Sequence, residues 1–194
     1  MVDDLLDIAK IEADALPIHI EAVDLGVLSA EVLALLAPLA HERNVELGPA
    51  TAPVHVLADR RRLRQVLINL VTNGVRYNRP GGTVAVTAQL DGSVVVIAVR
   101  DTGRGIPAEM LGRLFTPFDR LGAEGTTESG AGLGLVLART LTVAMGGTLE
   151  VTTAAGEGTT IDMRLPTANG THCAPTPDGS ATRRRRLRPS ITQL

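Results

Sequence analysis

The chain has 194 residues, which is enough for one domain with small appendages. Hydrophobic residues make up 44% of it, aromatic residues only 2%, and tryptophan is absent. This composition excludes a largely disordered chain and predicts a core built from leucine, valine, isoleucine and alanine.

Charge is unevenly distributed along the chain. Of the 19 basic and 21 acidic residues, five arginines and one aspartate lie in Thr167–Leu194, so the rest carries a net charge of about −6. An acidic body is unlike a nucleic-acid surface, and no nucleic-acid partner is expected. Arg183–Arg186 could contact anionic lipid or nucleic acid, but four charges without a fold are more typical of a solvated tail.

Cysteine content and hydropathy limit the possible covalent and metal sites and the expected cellular location. The one cysteine, Cys173, lies in the polar tail, so a disulfide framework or a thiolate metal site is excluded. No apolar run approaches the roughly 18–20 residues that span a bilayer, and the acidic start MVDDLLDIAK is unlike a secretory signal. We therefore expect a cytoplasmic location and no membrane segment in this chain, although a full-length parent could be membrane-anchored.

The predicted elements begin with an amphipathic helix, Met1–Leu16. Asp59 is a favourable N-cap for a long helix that extends to about Tyr77, and Asp91-Gly92 predicts the turn of a hairpin. The other predicted segments are Ile18–Val23, Leu25–Ala40, Val45–Leu47, Val54–Leu57, Thr83–Leu90, Ser93–Arg100, a short helix with Pro107 at its first position, a mobile loop Gly122–Gly132, Leu133–Met145, Thr148–Thr153 and Thr159–Leu165.

This order of helices and strands is not a regular βαβ alternation. It predicts an α+β fold, a two-layer α/β sandwich in which helices cover one face of a mixed sheet. We expect three regions: a helical remnant over residues 1–16, a domain over 17–166 and a disordered basic tail over 167–194.

Polar side chains share one face of the predicted long helix. Asn69, Asn73 and Arg76 are spaced at i, i+4 and i+7 and therefore lie on one stripe. Amide oxygens are hard ligands that suit Mg²⁺, and a guanidinium suits a polyphosphate. A solvated helix face accounts for the same spacing, so the stripe alone decides nothing.

Two glycine-rich segments carry the other candidate chemistry. Asp101–Ile106 places a carboxylate after a β-rich run, where it can accept a hydrogen bond from an amine, and its glycines allow close approach to the backbone. Gly130–Leu135 leads into a helix, whose N-terminal N–H groups favour phosphate. An ordinary turn and a flexible hinge are the alternatives. Neither segment is a P-loop or a dinucleotide fingerprint.

In their order and spacing these segments resemble the catalytic domain of two-component sensor histidine kinases. The resemblance covers roughly Leu25–Pro166 and implies a Mg-ATP-binding domain with an ATP lid loop, which transfers the γ-phosphate to a histidine. The segments that are similar to the N box, the first glycine box, the F box, and the second and third glycine boxes are, in that order, Asn69–Asn73, Asp101–Gly105, Leu114–Gly122, Gly130–Gly134 and Gly156–Thr159.

The resemblance also implies roles for individual residues. Asn73 coordinates Mg²⁺, while Asn69 and Arg76 act catalytically beside the metal and the phosphates. Tyr77 borders the adenine, and Asp101 binds its amine. The remaining implied residues are Gly103, Gly105 and Ile106 around the base, Gly130, Gly132, Leu133 and Gly134 in the lid, Thr159, which reaches the base through water, and Phe115 and Phe118, which anchor the lid unless they are plain core aromatics.

Position 69 separates this chain from some related enzymes. In the related gyrase, chaperone and mismatch-repair ATPases, and in anti-sigma serine kinases, a glutamate usually serves there as the general base. Asn69 cannot take that role. A neutral histidine is already nucleophilic, and phosphoryl transfer depends mainly on positioning and charge stabilisation. A histidine kinase is therefore favoured over a hydrolase, with a glutamate-independent ATPase as a rival.

The acceptor histidine is expected elsewhere. Leu5–Leu16 resembles the end of the second helix of a dimerisation and phosphotransfer domain, so the phosphoacceptor helix would lie upstream of residue 1 or in another chain. His19, His41, His55 and His172 are expected to be structural or exposed. The implied partners are ATP, a phosphoacceptor histidine domain and a response regulator. A non-catalytic nucleotide-binding module or truncated relic remains the alternative.

Overall fold

The computed structural model describes residues 16–119 and 132–168. Most of the predicted first helix, of the lid loop and of the tail therefore lies outside the described residues. The described elements are, in chain order, β1 (Glu21–Asp24), α1 (Leu25–Glu42), β2 (Glu46–Leu47), β3 (His55–Ala58), α2 (Arg60–Arg76), β4 (Thr83–Asp91), β5 (Val94–Asp101), a 3₁₀ helix (Ala108–Arg113), α3 (Gly134–Ala144), β6 (Thr148–Ala154) and β7 (Gly158–Pro166).

The strands form two sheets. The larger has five strands in the order β2-β4-β5-β7-β6, in which β2 and β4 are parallel and the other neighbours are antiparallel. β1 and β3 pair separately as a short antiparallel ribbon. In the larger sheet Asp101 lies opposite Val84 on one side and Thr159 on the other. The predicted α+β sandwich with a mixed sheet is confirmed.

The core lies between the helices and one face of the five-stranded sheet. The predicted apolar face of α2 is buried, and Leu63, Leu67 and Leu70 are each no more than 1% exposed. Burying a leucine side chain contributes about 1.5–3 kcal/mol relative to exposing it. The strands meet this face with alternate residues, as their period of two requires: Val84 and Val86, Val95, Ile97 and Val99, and Ile161, Met163 and Leu165.

Two aspartates fix where the first two helices begin. Oδ1 of Asp24 accepts the backbone N–H groups of Gly26 and Val27 at 2.8 and 3.2 Å, which caps α1. Asp59 caps α2 as predicted, because its Oδ1 accepts the Arg62 N–H at 3.0 Å. Its Oδ2 also accepts the His19 N–H at 3.0 Å, so one carboxylate ties the segment before β1 to the start of α2.

Predicted and observed boundaries differ at several points. β1 begins at Glu21 rather than at the predicted Ile18, because its partner β3 supplies pairing positions only from His55 to Ala58. Pro107 precedes the 3₁₀ helix as its cap rather than occupying its first position. After β7 the chain stays attached for two residues beyond Pro166, since Thr167 donates its N–H to Ser93 and Ala168 to His55.

The length of α1 corrects one expectation. With 18 residues it is long and apolar enough to cross a membrane by length and composition alone, so the expectation that no apolar run approaches spanning length was wrong. One such helix is weak evidence of a span, since the core helix of a soluble protein passes the same test. Here α1 packs into the core through Leu25, Leu28 and Val32, which are each no more than 1% exposed.

Candidate functional site

A cleft of about 480 Å³ lies between α2, the end of β5, the start of α3 and β7. The structure brings eleven of the thirteen predicted site residues to its walls. Gly103 is buried and does not line the cleft, and Gly130 lies outside the described residues. The eleven are Asn69, Asn73, Arg76, Tyr77, Asp101, Gly105, Ile106, Gly132, Leu133, Gly134 and Thr159.

One end of the cleft is defined by a carboxylate. Oδ1 of Asp101 accepts the backbone N–H of Gly103 at 2.8 Å and that of Thr159 at 3.2 Å. These bonds fix the carboxyl group in place and both end on Oδ1, which leaves Oδ2 available for a ligand. Burial raises the pKa of Asp101 above its ordinary value, although the two N–H donors oppose this shift by favouring the charged form.

Glycines allow the backbone to pass close to this carboxylate. Gly105 has a φ of 62°, which favours glycine, and a Cβ there would collide with the carbonyl oxygen of Ala154. The next residue, Ile106, donates its N–H to Oγ1 of Thr153 at 3.0 Å. That hydroxyl lies 3.1 Å from Oγ1 of Thr159, so the loop and the last two strands are held by one hydroxyl pair.

The walls beside Asp101 are apolar. Sequence reasoning missed five of these side chains: Val99, Met110, Leu114, Val151 and Ile161. The strand period could have indicated two of them, because Val99 and Ile161 lie two positions from Asp101 and Thr159 on the same side of the sheet. An apolar slot with one anchored carboxylate suits a flat ring that carries an amine.

The opposite end of the cleft is polar. Asn69 and Asn73 lie there, and Arg76, on the same stripe of α2, lines the cleft with them as the helical spacing predicted. A Cβ on Gly134 would lie 3.7 Å from Nδ2 of Asn73 and 3.9 Å from the Cβ and Cγ of Asn69, so the first residue of α3 faces the two amides. In the described part of the chain no side chain caps α3, and the N-terminal N–H groups of this helix are suited to an anion.

An unsatisfied donor lies at this end. Nδ2 of Asn69 is buried and makes no hydrogen bond with the described part of the chain. Leaving such a donor buried without a partner costs about 1–3 kcal/mol. A hydrogen-bond acceptor on a ligand would therefore satisfy a donor that residues 16–119 and 132–168 leave unpaired.

Residues 114–119 contact both α3 and the cleft. Phe115 is stacked under Arg139 of α3, with 4.6 Å from the guanidinium carbon to the ring centre. Phe118, by contrast, is 60% exposed and has a φ of 67°. Oδ2 of Asp119 pairs with Nε of Arg113 at 2.6 Å, and Asp119 lines the cleft, a residue that sequence reasoning missed.

The loop after Asp101 carries a further missed residue, Arg104, which lines the cleft with Tyr77. Unlike Arg104, the described histidines lie away from the cleft. His19, His41 and His55 are exposed, and none of them lines the cleft. His172 lies outside the described residues. Arg104 could have been found from its position between two functional glycines.

The part of the chain that forms the cleft matches a known protein family. The model of the family described as "Histidine kinase-, DNA gyrase B-, and HSP90-like ATPase" matches residues 58–169, more than half of the chain. The chain belongs to this family. The match spans α2, the cleft residues of β5 and β7 and the start of α3, so it includes the residues that line the cleft.

Several of the relatives are named histidine kinases. The chain is 35% identical over 179 residues to the histidine protein kinase DivJ of Caulobacter vibrioides, covering 91% of this chain and 30% of DivJ. Among structures, full-length ShkA in complex with AMPPNP superposes with a TM-score of 0.76 at 34% identity, covering 88% of this chain and 36% of ShkA. The catalytic domain of the histidine kinase ThkA gives 0.66 at 28% identity, covering 77% and 96%.

The chain corresponds to one part of these longer relatives. The chain spans between 17% and 32% of the length of eight curated relatives that it matches. It covers nearly all of the isolated ThkA catalytic domain. The resemblance to a histidine-kinase catalytic domain is therefore confirmed for the fold and the family.

Proposed function

We propose that this chain is the Mg-ATP-binding catalytic domain of a sensor histidine kinase, which acts on the cytoplasmic side and transfers the γ-phosphate to a histidine in a two-component phosphorelay. The observation that carries the proposal is the two-ended cleft. One end holds the anchored carboxylate of Asp101 between apolar walls. The other holds the unsatisfied amide of Asn69 beside the N-terminus of α3.

Adenine suits the apolar end. Oδ2 of Asp101 would accept a hydrogen bond from the exocyclic amine, while Gly105 and Ile106 let the ring lie against the backbone. Tyr77 borders the ring, and the Thr159 hydroxyl would reach it through water. The hydrogen bonds to Oδ1 keep the carboxyl group oriented before ligand arrives, so little ordering remains for binding.

The polar end suits a triphosphate with Mg²⁺. The described residues contain no cluster of three or more His, Cys, Asp or Glu side chains that could hold a metal by themselves. Mg²⁺ fits such a site, because it retains waters and is commonly bound by few protein oxygens together with substrate phosphates. The amide oxygen of Asn73 would be the protein ligand, and bound Mg²⁺ would neutralise charge on the phosphates.

The remaining polar groups would orient the phosphates. Nδ2 of Asn69 would donate to a phosphate oxygen and gain the partner it lacks. Arg76 would add a positive charge. The backbone of Gly132, Leu133 and Gly134 would supply N–H donors at the start of α3, and we place Gly130 in the same lid. These groups position and stabilise charge, which is what phosphoryl transfer demands of a protein.

The transfer step follows from this arrangement. A nitrogen of a neutral histidine forms a bond to the γ-phosphorus, the bond from the γ-phosphorus to the β–γ bridging oxygen breaks, and ADP leaves. Asn69 cannot deprotonate water, so direct hydrolysis lacks its usual base. The phosphoryl group would then pass to an aspartate of a response regulator.

The acceptor histidine would come from a phosphoacceptor domain, on the same polypeptide or on another. This follows from the exposure of His19, His41 and His55 away from the cleft. We further propose that residues 1–16 end the second helix of such a domain, that 17–166 form the catalytic domain and that 167–194 form a basic tail. The sequence of Leu5–Leu16 supports the first assignment.

Calorimetry with and without Mg²⁺, followed by labelling, tests the proposal. The chain should bind ATP, and a matched phosphoacceptor domain mixed with radiolabelled ATP should acquire label on its histidine. Asn73→Ala should abolish the Mg²⁺-dependent part of ATP binding while the circular dichroism spectrum stays unchanged. Gln89→Ala, which changes an exposed amide on β4, is the matched control.

The outcomes separate the alternatives. Absence of ATP binding would overturn the proposal as a whole. Binding without label on a matched acceptor would favour a non-catalytic nucleotide-binding module, and phosphate released to solution would favour an ATPase. Unchanged Mg²⁺-dependent affinity in Asn73→Ala would remove that residue from the metal site.

A further inference from the structure

A cation lies on the rim of the cleft, in the loop between β5 and the 3₁₀ helix. The guanidinium carbon of Arg104 is 4.9 Å from the centre of the Tyr77 ring, within the range of a cation–π contact. Both residues line the cleft, and the Arg104 side chain is exposed. Among the described residues the guanidinium makes no hydrogen bond or ion pair, so its N–H donors are uncommitted.

The backbone beneath this cation is fixed. The N–H of Arg104 donates to the carbonyl of Tyr77 at 3.2 Å, and its own carbonyl accepts the N–H of Gly156 at 2.7 Å. The flanking Gly103 and Gly105 are buried where a Cβ would collide with neighbouring backbone oxygens. The side chain therefore projects from a constrained loop, and its stacking on Tyr77 further limits where the guanidinium can lie.

The stack joins the end of α2 to the loop that follows Asp101. Tyr77 is the C-cap of α2, the helix that carries Asn69 and Asn73. Arg104 closely follows Asp101, which lies at the apolar end. With adenine at the apolar end and the terminal phosphates at the polar end, as in the proposed function on which this inference rests, the ribose and the α-phosphate pass beside the stack.

We propose that Arg104 is a specificity-determining residue that donates hydrogen bonds to the α-phosphate and so selects nucleotides over nucleosides. Tyr77 is its positioning residue. Stacking occupies the face of the planar guanidinium and leaves the donors in its plane free, an arrangement that suits recognition of phosphate oxygens. Because AMP, ADP and ATP all carry an α-phosphate and adenosine does not, the contact has a distinct signature.

Binding constants of adenosine, AMP, ADP and ATP for the full chain test this inference. Arg104→Met keeps most of the apolar stem and removes the charge. It should weaken AMP, ADP and ATP by a common factor of about tenfold, the scale expected for one charge-assisted hydrogen bond, and leave adenosine unchanged. Arg104→Lys, which retains a charge without the planar donors, should lose less. Arg79→Met, an exposed arginine outside the cleft, should change none of the four.

Tyr77→Leu tests the positioning role. For each variant the measured quantity is the ratio of the affinity for a nucleotide to the affinity for adenosine. If the Tyr77 ring acts on phosphate binding through Arg104, this ratio should be the same in the double variant Tyr77→Leu with Arg104→Met as in Arg104→Met alone. Equal weakening of adenosine and AMP in Arg104→Met, or no weakening of either, would overturn the inference. Failure of the unchanged protein to bind ATP would instead overturn the proposed function, so the two failures are distinguishable.

Discussion

Oδ1 of Asp101 accepts the backbone N–H of Thr159 at 3.2 Å, although the two residues are 58 positions apart in the chain. The antiparallel register of β5 and β7 places them opposite each other at the edge of the cleft. The sheet therefore orients the carboxylate on which base recognition is proposed to depend, and this orientation does not require a ligand.

Replacing Asp101 with asparagine should separate binding from folding. The amide oxygen can still accept the N–H groups of Gly103 and Thr159, but its NH₂ group would face the adenine amine as a second donor. We expect ATP affinity at pH 7 to fall at least about tenfold, the equivalent of about 1.4 kcal/mol. Stability in urea should not decrease, because the buried charge is removed. Unchanged ATP affinity would contradict the assignment.

The pH dependence of the unchanged protein follows from the same group. Burial raises the pKa of Asp101 above 3.8, so the folded chain holds this proton more tightly than the unfolded chain. The stabilisation that protonated Asp101 contributes is therefore fully present below pH 3.8 and is lost as pH rises through the raised pKa. ATP affinity should change in the opposite direction, falling as Asp101 becomes protonated. Asp101→Asn should lack the part of each dependence that comes from Asp101, which titration calorimetry and urea melts of both proteins at several pH values would reveal.

Asn69 is expected to strengthen ATP binding and to lower the stability of the ligand-free protein. Its buried Nδ2 has no partner among the described residues, so Asn69→Leu, which is close in volume, should stabilise the ligand-free protein by about 1–2 kcal/mol. The same change should weaken ATP binding, because a phosphate oxygen loses its donor. Urea unfolding without nucleotide and calorimetry with it would measure the two effects. A less stable ligand-free variant would show that the amide is satisfied in the unliganded protein.

Gly105 and Gly92 form a matched pair. Both have a φ of 62°, but a Cβ on Gly92 would meet no atom within 4 Å, whereas one on Gly105 would collide with the carbonyl oxygen of Ala154. Gly92→Ala should cost only the backbone strain, about 1 kcal/mol. Gly105→Ala should cost at least about 2 kcal/mol more and abolish ATP binding. Equal destabilisation of the two variants would mean that the loop shifts without cost.

Asp59 is expected to govern folding rather than binding. Desolvation raises its pKa, but hydrogen bonds from the His19, Arg62 and Arg61 backbones and the charge of Arg62 outweigh it, so the pKa is lowered overall. This stabilisation is present above pH 3.8 and is lost as pH falls through the lowered pKa. Asp59→Ala should cost about 1–2 kcal/mol in urea at pH 7.

Asp59→Asn is the control for this carboxylate. It keeps a capping oxygen and removes the charge, so it should cost less than Asp59→Ala and flatten the acid limb of the stability curve. ATP affinity should remain unchanged in both variants, because Asp59 does not line the cleft. Equal losses in the two variants would mean that charge, rather than capping, provides the stabilisation.

Local patterns predicted much of the fold. The N-cap Asp59 and the 3.6-residue periodicity of Leu63, Leu67 and Leu70 located α2 to within a residue at each end, because capping and burial act within one helix. Asp91-Gly92 located the hairpin for the same reason. The start of β1 was misplaced, since it depends on the length of β3, a partner more than 30 positions away in the chain.

Some residues of the candidate site could likewise be predicted from local sequence patterns, and others could not. Asn69, Asn73 and Arg76 could be grouped from helical spacing alone, and glycines marked the places where backbone approaches a ligand. Asp119, Met110, Leu114 and Val151 could not be selected, because their side chains converge on the cleft only when the 3₁₀ helix, β6 and β7 are folded against β5.

The sequence by itself determined which residue types were available and which of them share an element, since propensity, capping and periodicity operate over a few positions. The tertiary structure alone decided that Asp101 is held by Thr159, that Arg104 lies over the ring of Tyr77 and that Nδ2 of Asn69 has no partner among the described residues. These relationships depend on strand register and on close packing between distant segments, and a single sequence contains no local signal for either.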